Sequence, residues 1–344
     1  MAETKHINLA LQGGGAHGAF TWGVLDRILE DEDIEIAGIS GTSAGALNGA
    51  ALKAGLVSGG RDGARENLDW LWGQVGAQQQ TWLSDWTQGI NPGQVARAIE
   101  YSPAFAFADL WSRVVSPYSY GPFYHNPLEE IVQRFDFDKV CASAGPELFI
   151  CATCVRTGKI RVFANDDITT PAILASACLP TMFQAVEIDD PDTGRTESYW
   201  DGGYAGNPAL FPLFPERFPA DIVVININPI EREAVPVTPH QIQNRINEIS
   251  FNASLLRELR AIAFVQRLLD DGTLSTERKN RVLVHMISDD ALMNELSVAT
   301  KLMPNAFILD RLKTAGRTAA DAFLAAHRDD LNRRGTIDLS EMYG

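Results

Sequence analysis

Cysteine is scarce, with four residues in 344, a usage that suits a reducing compartment where thiols pack as small hydrophobes. Cys151 and Cys154 match C-x-x-C, but they stand in an alternating apolar run and no second pair completes a zinc site, so packing is their expected role. Positive charge is short as well. Lys and Arg number 29 against 44 Asp and Glu, for a formal net charge of −15. No basic stripe breaks that balance, which excludes a nucleic-acid surface and disfavours simple docking on anionic lipid. Any contact with a membrane is left to local patches and is transient. No apolar run approaches the roughly 18 residues that span a bilayer, and Met1–His6 has neither the basic leader nor the apolar core of a signal peptide. These absences predict a cytoplasmic protein, peripheral at a membrane at most. There are no internal repeats and no low-complexity tracts.

What is present is ordinary globular composition, 45% hydrophobic and 21% charged, enough for a large core. Residues 6–11 read as a buried strand, 19–30 as a helix, 34–40 as a strand and 44–54 as a helix. This βαβα order predicts a parallel sheet whose right-handed crossovers bring the ends of both strands to one edge. A glycine-rich linker at 57–63 precedes a helix over 64–75. Between about 80 and 125 the chain is dense in aromatics, among them Trp82, Trp86, Phe105, Phe107, Trp111, Tyr118, Tyr120, Phe123 and Tyr124, punctuated by prolines. That segment reads as an insertion packed on the core, with an apolar cap over a site as the sharper reading. Strands are predicted at 147–153, 159–163, 183–188, 196–200 and 221–226, a short helix at 171–178, and a helical C-terminal part from about 238 with one strand at 281–286. The expected division is a catalytic unit over 1–230 and an α-rich extension over 231–344 packed on it.

Gly41-Thr42-Ser43-Ala44-Gly45 lies between the second strand and the second helix. Glycines two residues either side of Ser43 allow a sharp turn that exposes its hydroxyl at a helix N-terminus, where unpaired amides and the helix dipole favour developing negative charge. Ser43 is therefore the candidate nucleophile. Gly13-Gly14-Gly15-Ala16-His17-Gly18, after the first strand, fits G-x-G-x-x-G. A dinucleotide site would need an acid at the end of the second strand, and the chain there runs Ile39-Ser40-Gly41 instead. The better use of the triplet is an oxyanion hole, with backbone amides unobstructed by side chains. The six histidines, His6, His17, His125, His240, His285 and His327, lack a catalytic context, whereas Asp201 stands just after a strand and before Gly202 and Gly203.

Taken in order, Gly13–Gly18, Gly41–Gly45, Ala175–Phe183 and Asp201-Gly202-Gly203 continuing to Asn207-Pro208 resemble the patatin-like phospholipase family. The resemblance implies a three-layer α/β/α fold with a mostly parallel sheet, a serine–aspartate dyad of Ser43 and Asp201, an oxyanion hole from Gly13, Gly14 and Gly15, and a lipid or other hydrophobic acyl ester as substrate. It implies no cofactor and no metal. Where many members carry Arg or Lys in the glycine-rich loop, this chain has His17, a weaker and pH-dependent cation. Two rivals remain: a Ser-Asp-His triad recruiting His240 or His285, with His327 tested beside them, and a lipid-binding protein with little turnover.

Overall fold

In the computed structural model, which describes residues 3–77, 102, 115–233, 235–275 and 281–343, β1 (Lys5–Leu11) is buried at every position except His6. A strand in the middle of a parallel sheet has this character because both its faces are covered. After it come α1 (Gly18–Ile28), β2 (Ile34–Thr42) and α2 (Ala44–Ala77). The linker expected at 57–63 is a break: the backbone leaves helical geometry at Gly59 and Gly60, and the two helical halves of α2 fold back on each other, so that Asn67 Nδ2 donates to the Ala51 carbonyl (3.3 Å) and Trp72 Nε1 to Asn48 Oδ1 (2.9 Å).

Two short helices, α3 (Glu129–Val132) and α4 (Phe137–Val140), lead to β3 (Glu147–Cys154), β4 (Ile160–Ala164), α5 (Thr170–Ser176), β5 (Val186–Asp190), β6 (Arg195–Asp201) and β7 (Asp221–Ile225). The chain closes with α6 (Pro239–Asp270), β8 (Leu283–Ile287), α7 (Asp290–Glu295), α8 (Val298–Leu302), α9 (Ala306–His327) and α10 (Leu339–Tyr343). A capping box of Thr238 and Gln241, with Pro239 in the first turn, starts the single long helix α6.

Among the described residues the sheet has eight strands in the order β5-β6-β3-β2-β1-β7-β8, with β4 also on β3. The stretch β3-β2-β1-β7-β8 is parallel, and β4, β5 and β6 are antiparallel additions. Register on β3 positions everything that follows. β4 pairs with Phe149–Thr153, so both β2, which pairs with residues 147–151, and β6, which pairs with 152–154, must occupy the opposite edge of β3. There β2 and β6 meet head to head. Thr42 lies opposite Cys151, and Asp201 lies opposite the next residue, Ala152.

Alternate strand residues feed two separate cores. Ile7, Leu9 and Leu11 of β1, with Val223 and Ile225 of β7, pack with α1, α2, α5 and α9. Ala10, Ile222 and Val224 point the other way, toward Leu255, Leu259 and Ile262 of α6 and the 210–218 segment. The result is the expected three-layer α/β/α architecture. Most of the aromatic segment, including Trp82, Trp86, Phe105, Phe107 and Trp111, lies outside the described residues. Its described end, a 3-10 turn over Pro117–Phe123, is tied down where Ala185 N donates to Tyr118 Oη (3.0 Å) and Gln184 N to Tyr124 Oη (3.1 Å).

Candidate active site

Ser43 is the one residue between β2 and α2, and its φ of 56° puts it in the left-handed region that non-glycine residues rarely adopt. Close packing explains why the chain can hold it there. A Cβ on Gly45 would lie 2.1 Å from the Leu11 carbonyl oxygen, and one on Gly13 would lie 2.6 Å from the Ser43 Cβ, so β1, its loop and the elbow fit only without side chains at these positions. The Ser43 amide donates to Ser176 Oγ (2.9 Å), which donates to the Cys151 carbonyl (2.6 Å). Helix α5 thereby fixes the turn from the side.

Asp201 ends β6 and is 1% exposed. Its backbone is held by Thr153 Oγ1, which donates to the Asp201 carbonyl (2.8 Å), and by the Cys178 carbonyl, which accepts the Asp201 amide (2.8 Å). One carboxylate oxygen, Oδ1, accepts from the Gly203 amide (2.7 Å), while Oδ2 is buried without a hydrogen-bond partner. Burial pushes the Asp201 carboxyl up to about 7, against the smaller opposing pull of the Gly203 amide and of the facing Ser43 hydroxyl. A buried carboxylate that titrates near neutrality, with a free lone pair beside a strained serine, has the properties of a general base.

The glycine-rich loop differs from expectation in two respects. The Gly13 amide does not face open space; it donates to Asn207 Oδ1 (2.7 Å). Among the described residues no acceptor takes the amides of Gly14 and Gly15, so these two remain as candidate oxyanion donors. His17, expected as a titratable cation, is 1% exposed, with Nε2 2.8 Å from Thr300 Oγ1 and Nδ1 unpartnered. Burial above all, and then Lys301, push its pKa well below the usual histidine range. It is a neutral core residue.

The other motif residues pack rather than react. Ala16 is buried, Gly18 starts α1 against Ala44, and Gly41 abuts the Gly45 carbonyl. Gly202 sits on the Cys151 carbonyl and Gly203 on the Phe251 ring. His285, on β8, is spent on Asp221 Oδ1 (2.8 Å) and Thr336 Oγ1 (3.2 Å), and His327 on Asp330 Oδ2 (3.0 Å). His240 stands in the first turn of α6. All four cysteines are free thiols, with Cys151 and Cys154 buried.

A polar network beneath the loop went unread in the sequence. Gln12 Oε1 accepts from the amides of Ile227 (2.9 Å) and Asn228 (3.1 Å), and its Nε2 donates to Asn207 O (3.3 Å) and Asn252 Oδ1 (3.3 Å). Ser254 Oγ accepts the Asn207 amide (3.0 Å). Isolated amide residues on unrelated segments carry no spacing signal; only the run Asn226-Ile227-Asn228 directly after a strand hinted at a role.

Comparison with known proteins bears on residues 9–214, which match a family model described as Patatin-like phospholipase. A solved structure, that of VipD from Legionella pneumophila, is similar at 13% sequence identity and a TM-score of 0.44, covering 98% of this chain and 72% of VipD. No curated protein matches.

Proposed function

The chain belongs to the patatin-like phospholipase family, and from that premise we propose that it hydrolyses acyl esters of lipids, with Ser43 as nucleophile and Asp201 as base. The observation that carries this reading is the buried Asp201 carboxyl, one oxygen of which has no hydrogen-bond partner, with the hydroxyl of the left-handed Ser43 near enough to pull its pKa down against burial. Ser43 Oγ attacks the ester carbonyl carbon as its proton passes to Asp201, and the carbonyl electron pair moves onto oxygen. The Gly14 and Gly15 amides stabilise that oxyanion, a contribution of about 3 to 4 kcal/mol for each well-placed donor. Collapse breaks the bond to the alcohol, which takes the proton from Asp201 and leaves an acyl-serine. Water then adds to the acyl carbon, giving its proton to Asp201, and a second collapse returns that proton to Ser43 and releases the fatty acid. With no histidine among the described side chains acting on Asp201, its raised pKa is what makes the carboxylate basic enough near neutral pH.

Support for a greasy substrate comes from the surroundings of Asp201. Cys178, whose carbonyl holds the Asp201 amide, lies with its Sγ 3.0 Å from the Gln184 carbonyl; the exposed ring of Tyr118 is bonded to Ala185 beside it, and exposed Met182 stands two residues before Gln184. No helix among the described residues is long and apolar enough to cross a membrane; transient contact with a bilayer surface, where a lipid would be met, is part of the same proposal. Ser43→Ala and Asp201→Asn should each lower hydrolysis of p-nitrophenyl acyl esters by about a thousandfold or more with circular dichroism unchanged. A fluorophosphonate should label the wild type and not Ser43→Ala. Retention of most activity in Asp201→Asn would discard the dyad, and product profiling on a mixed lipid extract would name the acyl substrate.

A further inference from the structure

The oxyanion loop draws its support from a part of the chain beyond residues 9–214. Asn228 Nδ2 donates to the Gly13 carbonyl (2.7 Å), and Asn207 Nδ2 adds a second bond to the same oxygen (3.3 Å). In a trans peptide the carbonyl of one residue and the amide of the next point in opposite directions in one plane. Whatever holds the Gly13 carbonyl therefore aims the Gly14 N–H, one of the two amides left for an oxyanion. Asn228 is itself oriented from behind. Its Oδ1 accepts from Lys301 Nζ (3.2 Å), and Lys301 Nζ also reaches Glu248 Oε1 (3.3 Å). Arg232 clamps Glu248 through two bonds of 2.7 Å. The α8 helix that carries Lys301 touches the loop twice more, through Thr300 on His17 and through the Lys301 carbonyl against Gly15. With His17 neutral, the cations that bear on the loop are Lys301 first and Arg232 behind it.

We propose that Lys301, linked to Gly13 through Asn228, is a positioning residue for acyl transfer, aiming and polarising the Gly13–Gly14 peptide so that the Gly14 amide meets the developing oxyanion. A hydrogen bond to the carbonyl of a peptide strengthens the donor at its other end, and a cation on Asn228 Oδ1 strengthens the Asn228 donor in turn. The inference rests on the acyl hydrolase reading above. It differs from a merely structural role because its effect falls on the transition state, where charge appears on the substrate oxygen, and not on substrate binding.

The test is the kinetics of Lys301→Met and Lys301→Arg with p-nitrophenyl butyrate, beside the rate at which a fluorophosphonate labels Ser43. The expected result for Lys301→Met is a fall in kcat of about tenfold to a hundredfold with KM within a few-fold and a parallel fall in labelling rate. Lys301→Arg should recover most of the loss. Should Lys301→Met fail to fold, Glu248→Gln, which loosens the ammonium without removing it, is expected to show the same split in milder form. A folded Lys301→Met or Glu248→Gln with wild-type kcat overturns the inference, as does a change confined to KM. A wild-type protein that neither hydrolyses nor labels overturns the hydrolase reading itself, and this inference with it.

Discussion

Ser176 Oγ accepts the amide of Ser43 at 2.9 Å and donates to the carbonyl of Cys151 at 2.6 Å, so one hydroxyl on α5 joins the elbow to β3. All three residues are buried. Ser176→Ala leaves a buried amide and a buried carbonyl unpaired, for a loss of about 1 to 3 kcal/mol. With Ser43 free to relax from its left-handed backbone, kcat should fall by about tenfold. Denaturant unfolding and steady-state kinetics on the same variant check both.

The pH dependence follows from Asp201. Its carboxylate must be ionised to accept the serine proton, so kcat should fall about tenfold per pH unit below an apparent pKa of about 7. Stability runs in the opposite direction. The folded state holds the Asp201 proton more tightly than the unfolded chain, so this residue's contribution is fully present at acid pH and is lost as pH rises toward and through about 7. Asp201→Asn should therefore melt higher than the wild type at pH 8, by at most about 4 kcal/mol of stability, with the difference shrinking toward pH 4. Paired melts across that range isolate Asp201 from Glu258, whose carboxyl burial also pushes up to about 7.

Gly45→Ala would bring a methyl to 2.1 Å from the Leu11 carbonyl oxygen, with the Gln12 carbonyl at 3.0 Å behind it. Both neighbours are backbone, which leaves nothing flexible to yield. The expected cost is about 3 kcal/mol, and the elbow should shift away from β1, so activity should fall along with the melting temperature.

His285→Ala separates structural from catalytic histidine. Asp221 Oδ1 would lose His285 Nε2 but keep the Asn332 amide (2.8 Å), and Oδ2 would keep Asn332 Nδ2 (2.9 Å). Stability should drop by about 1 to 3 kcal/mol, while kcat of the folded fraction stays near wild type. Loss of activity without loss of stability would instead favour a triad.

How far the sequence could be read depended on whether a signal was local. The elbow, the glycine triplet and the β1-α1-β2-α2 order are contiguous patterns, and each appears at the expected place. The charge state of His17 is not local, because it depends first on burial, with Thr300 packed against the ring, and then on Lys301, both residues arriving from the far end of the chain. The same holds for Gly13, whose amide is taken by Asn207 across 194 positions. Glycines at 59 and 60 announced the interruption, and the chain leaves helical geometry there and folds back, setting Asn67 and Trp72 against Ala51 and Asn48. Trp82 and its aromatic neighbours suggested a cap, and their arrangement lies outside the described residues.

The placement of β7 has a practical meaning for anyone who shortens this protein. β7 covers one side of β1, and β8 covers the far side of β7. A fragment ended near residue 214 would strip both away and leave the outer backbone of β1 bare from Asn8 to Leu11. An uncovered, flat, apolar edge of this kind recruits strands from other molecules, so such a fragment is expected to aggregate rather than report on chemistry.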